Sequence, residues 1–398
     1  MSILVTIVFW TMLPATFRKN ENSDFITFYE PVARNILAGR GFTLLDGTPA
    51  IRYPPGFPLA LAGIFALAHI MNIPEETALS GFTVLGVGLS SVFVFLVGKM
   101  VWGVLPALVS ALLWMTYPFA LGLTEQPNSE IPFIAVFYGG FCLFLHALLR
   151  RRRTWLTFLT SGFLVGVAAL IRPIAIGASL VMGGIVWLAG WQMTVRVRLT
   201  LITALLLGSI GAMFPWEAWV YSNAGNVVLL STGGPSSMRD GLTFGVNPKS
   251  WRRRTKVPQD VAALMQDIRS RSSERQSLGG IASIMVGELQ TRPLAVIKLY
   301  AMKAARSWYG TNTGRLETPI ILIQIVYLGL AMWGGRIAWR QGGAAKQLVI
   351  SVWLIVLYFW GMTVLALSIL RYMVPMMGLL FLLIPPVFHK RESREPTL

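Results

Sequence analysis

Apolar runs long enough to cross a bilayer, separated by short basic segments, constrain this chain more than any other feature. A spanning helix needs roughly 17–25 apolar residues. Such runs fall near 1–17, 77–99, 103–121, 131–149, 155–171, 173–191, 199–216, 318–338, 347–367 and 372–389. Charged residues make up only 13% of the chain and hydrophobic ones 55%, with mean hydropathy +0.62. Soluble domains carry about 25% charged residues. The pattern predicts an all-α polytopic membrane protein, a bundle of about ten transmembrane helices. The first run is short and has no small-residue cleavage site, which favours an anchor over a removed signal.

Basic clusters orient the bundle. Net charge is +17, and in a membrane protein such an excess concentrates in cytoplasmic loops. It points to topology and lipid headgroups and excludes nucleic acid as a partner. The clusters are Arg150 to Arg153, Arg196 with Arg198, Arg336 with Arg340 and Lys346, and Lys390 with Arg391. Residues 56–71 are also apolar, but a crossing there would invert every later span and put Arg150 to Arg153 outside. They are therefore expected to lie in the membrane interface, entered through the sharp turn Pro54-Pro55-Gly56. Both chain ends are then cytoplasmic. The chain divides into an N-terminal transmembrane module, 1–216, carrying a first outer loop at 18–76. An extracytoplasmic region, 217–317, follows, and 318–398 hold the last helices and a short cytoplasmic tail.

The 217–317 region is the one sizeable polar stretch. Residues 258–276 and 281–308 have helical spacing. Lys298, Lys303 and Arg306, near Trp308 and Tyr309, give 281–308 the pattern of an amphipathic helix lying on the outer membrane surface. No internal repeat is evident, which weighs against a repeat-built transporter.

Ionisable groups in or beside a bilayer are costly, so each is a functional candidate. Asp24 opens the stretch after the first apolar run, followed by Glu30, Arg34 and Arg40. A base beside cations can bind an acceptor and a phosphate together, although Ser23 or Asp24 can also serve as a plain helix N-cap. Glu125 and Glu130 occupy the outer segment 122–130, where Glu130 also suits the first turn of a helix. Arg172, in Ile171-Arg172-Pro173, and Arg371, in Leu370-Arg371-Tyr372, are isolated charges in separate outer hairpins. Each can be read as a snorkelling loop residue. Together they suggest convergence on an anion, because the planar guanidinium fork suits phosphate.

Other chemistries leave no trace. Cys142 is the single cysteine, so no internal disulfide forms. His69, His146 and His389 are far apart, and no HExxH or CxxC pattern marks a zinc site. No dedicated cofactor is implied, and a divalent cation is left open. No glycine-rich nucleotide fingerprint is present.

The stretch from Asp24 to Pro58 resembles the first outer loop of the GT-C membrane glycosyltransferases. The subgroup is that of the protein O-mannosyltransferases and the lipid A aminoarabinose transferase. The shared pattern is an acid, a Tyr, Ala-Arg, a Gly and Pro-Pro. Here it reads Asp24, Tyr29, Ala33-Arg34, Gly39 to Gly41 and Tyr53-Pro54-Pro55. The later order is similar: Ser129-Glu130, Arg172-Pro173, Pro215-Trp216 with Asn223, the small-residue loop Ser231 to Gly234, and Arg371-Tyr372. No single motif is specific, but the order covers nearly the whole chain. Two departures stand out. The Glu-Lys before Pro-Pro in the aminoarabinose transferase is Arg52-Tyr53 here, which shifts phosphate binding toward Arg52. The paired Asp-Glu of many relatives is Asp24-Phe25, which leaves open whether Glu30 substitutes.

The resemblance implies a GT-C-type fold in a bacterial inner (plasma) membrane, with the site on the periplasmic or exterior side. Its donor would be a sugar on a polyprenyl phosphate, and its acceptor a glycan, lipid or protein hydroxyl. Asp24 would be the base, with Glu30 and Glu130 as further acidic candidates. Arg34, Arg52, Arg172 and Arg371 would hold the phosphate, and Tyr29, Tyr53, Glu125, Asn223 and Tyr372 would line the pocket. One direct displacement predicts inversion. The alternative is a non-enzymatic transporter or flippase of an anionic lipid-linked sugar, which shares the outer arginines but does not need Asp24 for turnover.

Overall fold

The computed structural model describes residues 1–12, 24–149, 154–189, 193–225, 227–246, 257–272, 277–312, 314 and 316–388. The clusters Arg150 to Arg153 and Lys390 with Arg391, and also Ser23 and His389, lie outside the described residues. Among the described residues the regular elements are helical, apart from one isolated bridge between Thr43 and Pro49. In order they are α1 (Ser2–Met12), a π-turn at Phe25–Tyr29 running into α2 (Glu30–Leu37), α3 (Gly56–Met71), α4 (Glu75–Trp102) and α5 (Val104–Met115). Next come α6 (Pro118–Gly122), α7 (Glu130–Leu149), α8 (Trp155–Ile171), α9 (Ala178–Ala189) and α10 (Val195–Ala224). The chain continues through α11 (Gly234–Leu242), α12 (Gln259–Ser272), α13 (Leu278–Thr291), α14 (Pro293–Arg306), α15 (Glu317–Gln341), α16 (Gly343–Leu365) and α17 (Leu370–Phe381).

Five helices, α4, α7, α10, α15 and α16, are long and apolar enough to cross a membrane. The other expected spans are shorter: α1, α5, α8, the segment Pro173–Ala189 and α17. The bundle is built around α7. Its apolar window is 83% buried, against 28% for α10 and α15, so α7 is the core helix while α10 and α15 present apolar surface outward.

Small residues set the tightest contact. A Cβ built on Gly162 of α8 would meet the Leu205 carbonyl of α10 at 1.9 Å, and one on Gly208 would meet the Leu159 carbonyl at 2.0 Å. Without hydrophobic driving force between helices in lipid, backbone approach over glycine is a main source of packing energy. The step from Gly162 against Leu205 to Gly166 against Ser209 and Ala212, in the same sense on both helices, makes α8 and α10 parallel. Gly86 against Ile131 and Gly139 against Phe93 likewise make α4 parallel to α7.

These directions give the bundle two chemically different ends. The starts of α4, α7, α15 and α17 and the ends of α8, α10 and α16 gather at one end. The opposite end carries Lys99, Arg196, Arg198, Arg336, Arg340 and Lys346 and, among the described residues, no carboxylate. Residues 56–71 do not traverse the bundle. Gly56 sits against Leu170 and Ile171 at the end of α8, and α4, which follows α3, starts from that same end.

The expected boundary at 217 falls inside α10, which continues through Pro215 to Ala224. Beyond it, α11 to α14 form a cap with a core of their own, including Leu242, Leu264, Ile268, Ile284 and Leu299. The expected helix over 281–308 is two helices, broken at Arg292-Pro293 where proline begins α14. Lys303 and Arg306 are not displayed on a surface: they are 0% and 5% exposed. They sit on the buried face with Val296 and Leu299, at helical spacing.

The seam is testable within one helix. Gly208→Ala should destabilise the protein by about 1–3 kcal/mol or more through overpacking. Gly211→Ala, where a Cβ meets open space, should be neutral or stabilising by about 0.5–1 kcal/mol. Thermal melting in detergent of the two variants checks this, and equal melting would refute the close approach.

Candidate functional site

The cleft lies at the end of the bundle that carries the carboxylates. It encloses about 1020 Å³ of empty space, part of it open to solvent. Its walls come from the start of the π-turn, the starts of α7, α11 and α17, and the ends of α8 and α16.

Asp24 heads the π-turn. Pro31 has no N–H to extend the helical ladder backward, and the turn before it widens; π-turns of this kind recur at functional sites. The Asp24 side chain makes no helix-capping hydrogen bond. It accepts one from the Tyr53 phenol at 3.0 Å. Burial, helped by the Asp24 carboxylate, pushes the Tyr53 phenol up to about 12, so Tyr53 stays a donor. Tyr29 packs 5.1 Å from the Tyr53 ring, and burial also raises its phenol. The Thr232 amide donates to the Ile51 carbonyl at 3.1 Å, which brings Ser231 to the Tyr53 wall. There α11 begins, and a helix N-terminus favours anions.

The opposite wall is an ion-pair cluster. The α7 N-terminus is capped by Asn128, whose Oδ1 accepts from the amides of Glu130 and Ile131 at 3.1 and 3.4 Å. Glu130 is therefore free of capping duty, and it is 0% exposed. Its Oε1 lies 2.5 Å from Arg172 Nη1. Arg371 donates to both its oxygens, through Nε to Oε1 and through Nη2 to Oε2. Arg172 also donates to Ser129 Oγ at 3.4 Å and lies 4.9 Å from the centre of the Tyr372 ring. Two guanidiniums share one carboxylate, so this wall holds one net positive charge.

Of the residues singled out from sequence, Asp24, Tyr29, Tyr53, Glu130, Arg172, Arg371 and Tyr372 line this one cleft. The other five lie elsewhere. Glu30 and Arg34 pair with each other at 2.7 Å, and Arg34 reaches Glu75 at 2.9 Å, forming a surface network that consumes both. Arg52 is exposed and sits 5.4 Å from the Tyr53 ring centre. Burial raises the Glu125 carboxyl, but it does not border the cleft. Asn223 is exposed and donates to the Trp219 carbonyl. Among the described residues no group of three His, Cys, Asp or Glu side chains gathers to hold a metal ion.

Sequence reasoning missed the end of α16. Met362, Thr363 and Ala366 line the cleft, and nothing in their apolar context signals it. It also missed the burial of Lys303. This buried ammonium donates to the Ala366 carbonyl at 3.0 Å. On Gly241 of α11 a Cβ would meet that carbonyl oxygen at 1.7 Å. The cap is thus pinned to the cleft lip. The i, i+4 spacing of Leu299 and Lys303 was the readable signal.

Two expectations follow. Glu130→Gln should cost about 3–5 kcal/mol by leaving the buried Arg172 and the part-buried Arg371 unneutralised. A melting curve checks it, and an unchanged midpoint would contradict the cluster. Burial pushes the Lys303 ammonium down from 10.5 to about 7. The folded cap then binds fewer protons than the unfolded chain between those values, so its stability should rise as pH rises from about 7 to 10.5. Protease resistance of the cap should follow that rise and lose its slope in Lys303→Met.

No family model matches the chain, and no curated protein matches it. Among solved structures it is similar to the crystal structure of ArnT from Cupriavidus metallidurans bound to undecaprenyl phosphate. The similarity is at 14% identity and TM-score 0.45, covering 96% of this chain and 76% of that one.

Proposed function

We propose that this chain is a membrane glycosyltransferase. It would move a sugar from a polyprenyl-phosphate carrier to an acceptor hydroxyl, on the side of the membrane away from its basic ends. The observation that carries this reading is the gathering of Asp24, Arg172 and Arg371, distant in sequence, in one cleft. A carboxylate on one wall and a net-positive arginine pair on the other suit a displacement in which a proton leaves at one side and a phosphate at the other. The basic bundle end supports a cytoplasmic assignment for that end by the positive-inside rule. The cleft then opens to the periplasm or cell exterior of an inner membrane.

In this mechanism the acceptor oxygen attacks the anomeric carbon as Asp24 takes its proton. Tyr53 orients the carboxylate through its hydrogen bond. The bond from the anomeric carbon to the phosphate oxygen breaks, and the carrier phosphate takes the electron pair. Arg172 and Arg371 stabilise the charge that develops on it. Glu130 holds both guanidiniums in place and acts as neither base nor nucleophile. A single displacement inverts the anomeric centre. The acceptor is a glycan, lipid or protein hydroxyl.

The test is transfer from a panel of radiolabelled polyprenyl-phosphate sugars into membrane lipid and protein fractions. Asp24→Asn keeps the partner for Tyr53 but loses the base. It should lower kcat by about 10²–10⁴-fold with little change in donor KM, and the labelled fraction should reveal the acceptor class. Full transfer by Asp24→Asn would remove Asp24 from the chemistry.

A further inference from the structure

The cap helices are apolar on two sides. On α13 the core-facing residues are Ile281, Ile284 and Met285. Outside that face, on the flank beside Met285 and round to Val286, Leu278, Val286 and Leu289 are 54%, 58% and 49% exposed. The same holds on α14, where Ala295, Val296 and Leu299 are buried while Leu294 and Ile297 are 72% and 58% exposed. At i, i+8 and i, i+3 spacings these residues form a stripe along each helix. The core of the cap accounts for the buried faces and leaves the aliphatic stripes uncovered.

The cap's attachment says what covers them. The last turn of α14 is joined to the apolar spans where they end. Trp360, in the final turns of α16, donates from Nε1 to the Ala304 carbonyl at 3.0 Å. Arg306 pairs with Glu317, the first residue of α15, at 2.7 Å. Trp308 packs 6.0 Å from Trp360, and tryptophan favours the membrane–water boundary. The helix therefore leaves the bundle at the level where its lipid-facing surface stops. Among the described residues, several neighbouring charges are matched: Lys298 with Asp260 at 2.7 Å, Arg292 with Glu288 at 2.8 Å and with Asp267, and Arg271 with Glu288 at 2.5 Å.

We propose that α13 and α14 dock on the outer bilayer surface, with Leu278, Val286, Leu289, Leu294 and Ile297 inserted among the acyl chains just below the headgroups. Contact is apolar, since among the described residues the exposed cations of these helices, Arg292 and Lys298, are paired with carboxylates within the cap. The docked cap holds its own cleft-lining segment, the start of α11, and the Lys303 pin at a fixed height above the membrane. This rests on the membrane reading of the chain and is independent of the transfer reaction.

The test uses the full chain, one copy per lipid nanodisc, with Cys142→Ala as background. Single cysteines from Val286→Cys, Ile297→Cys and, as control on exposed α12, Gln266→Cys carry a bimane label. Labels at 286 and 297 should be quenched several-fold more by nitroxide-bearing lipids than the label at 266, and shielded from aqueous iodide. Raising the share of anionic lipid should leave this unchanged. Equal iodide quenching at all three positions would overturn the docking. So would lipid-independent shielding at 286 and 297, which would mean a protein partner, or shielding that appears only with two copies per disc.

Discussion

One buried carboxylate organises the cleft. Glu130 stands at the first residue of the most enclosed of the five long apolar helices, with no exposure to solvent. A charge in that position is tolerable only if it is paired and hydrogen-bonded. Arg172 from the end of α8 and Arg371 from the start of α17 supply the pairing. Three helix ends are thereby locked together, and the arginines that give the wall its positive charge are held by a group that does not itself need to react. Asn128 makes this arrangement available by capping α7 in place of Glu130.

The cluster depends on helix direction. Parallel packing of α8 with α10 and of α4 with α7 follows from glycine contacts along their lengths. With short turns between successive helices, those directions carry residues 24, 53, 130, 172 and 371 to the same end. They also sweep the lysines and arginines to the other. A membrane protein gains twice from this segregation: its orientation is specified, and the cleft with its acid is separated from the positive end.

The cap adds a second layer of positioning. Its own core makes it a unit, yet Lys303 and Gly241 converge on one carbonyl, Ala366, that also borders the cleft. A lysine buried there is costly, and a simple leucine would pack more cheaply. Its presence ties the cap to the C-terminal end of α16, where unsatisfied carbonyls attract a cation.

Much was legible in the sequence. Apolar length and basic flanks fix a helical membrane class, since lipid leaves the backbone few alternatives to helix. The lone charges Arg172, Arg371, Glu130 and Asp24 stood out because apolar surroundings make charge expensive. Glu30, Arg34, Arg52, Glu125 and Asn223 seemed equivalent in one dimension, but local partners or helix faces take them away from the cleft. The end of α16 left no compositional mark, because an apolar residue beside a cavity reads like any other in a span, and the burial of Lys303 showed only in its spacing from Leu299. Period and composition determine which segments are helical and which charges are anomalous. Only the three-dimensional packing of helix ends decided which of those charges meet, because ion pairing between residues hundreds of positions apart is set by helix direction and close backbone contact, not by neighbours in the chain.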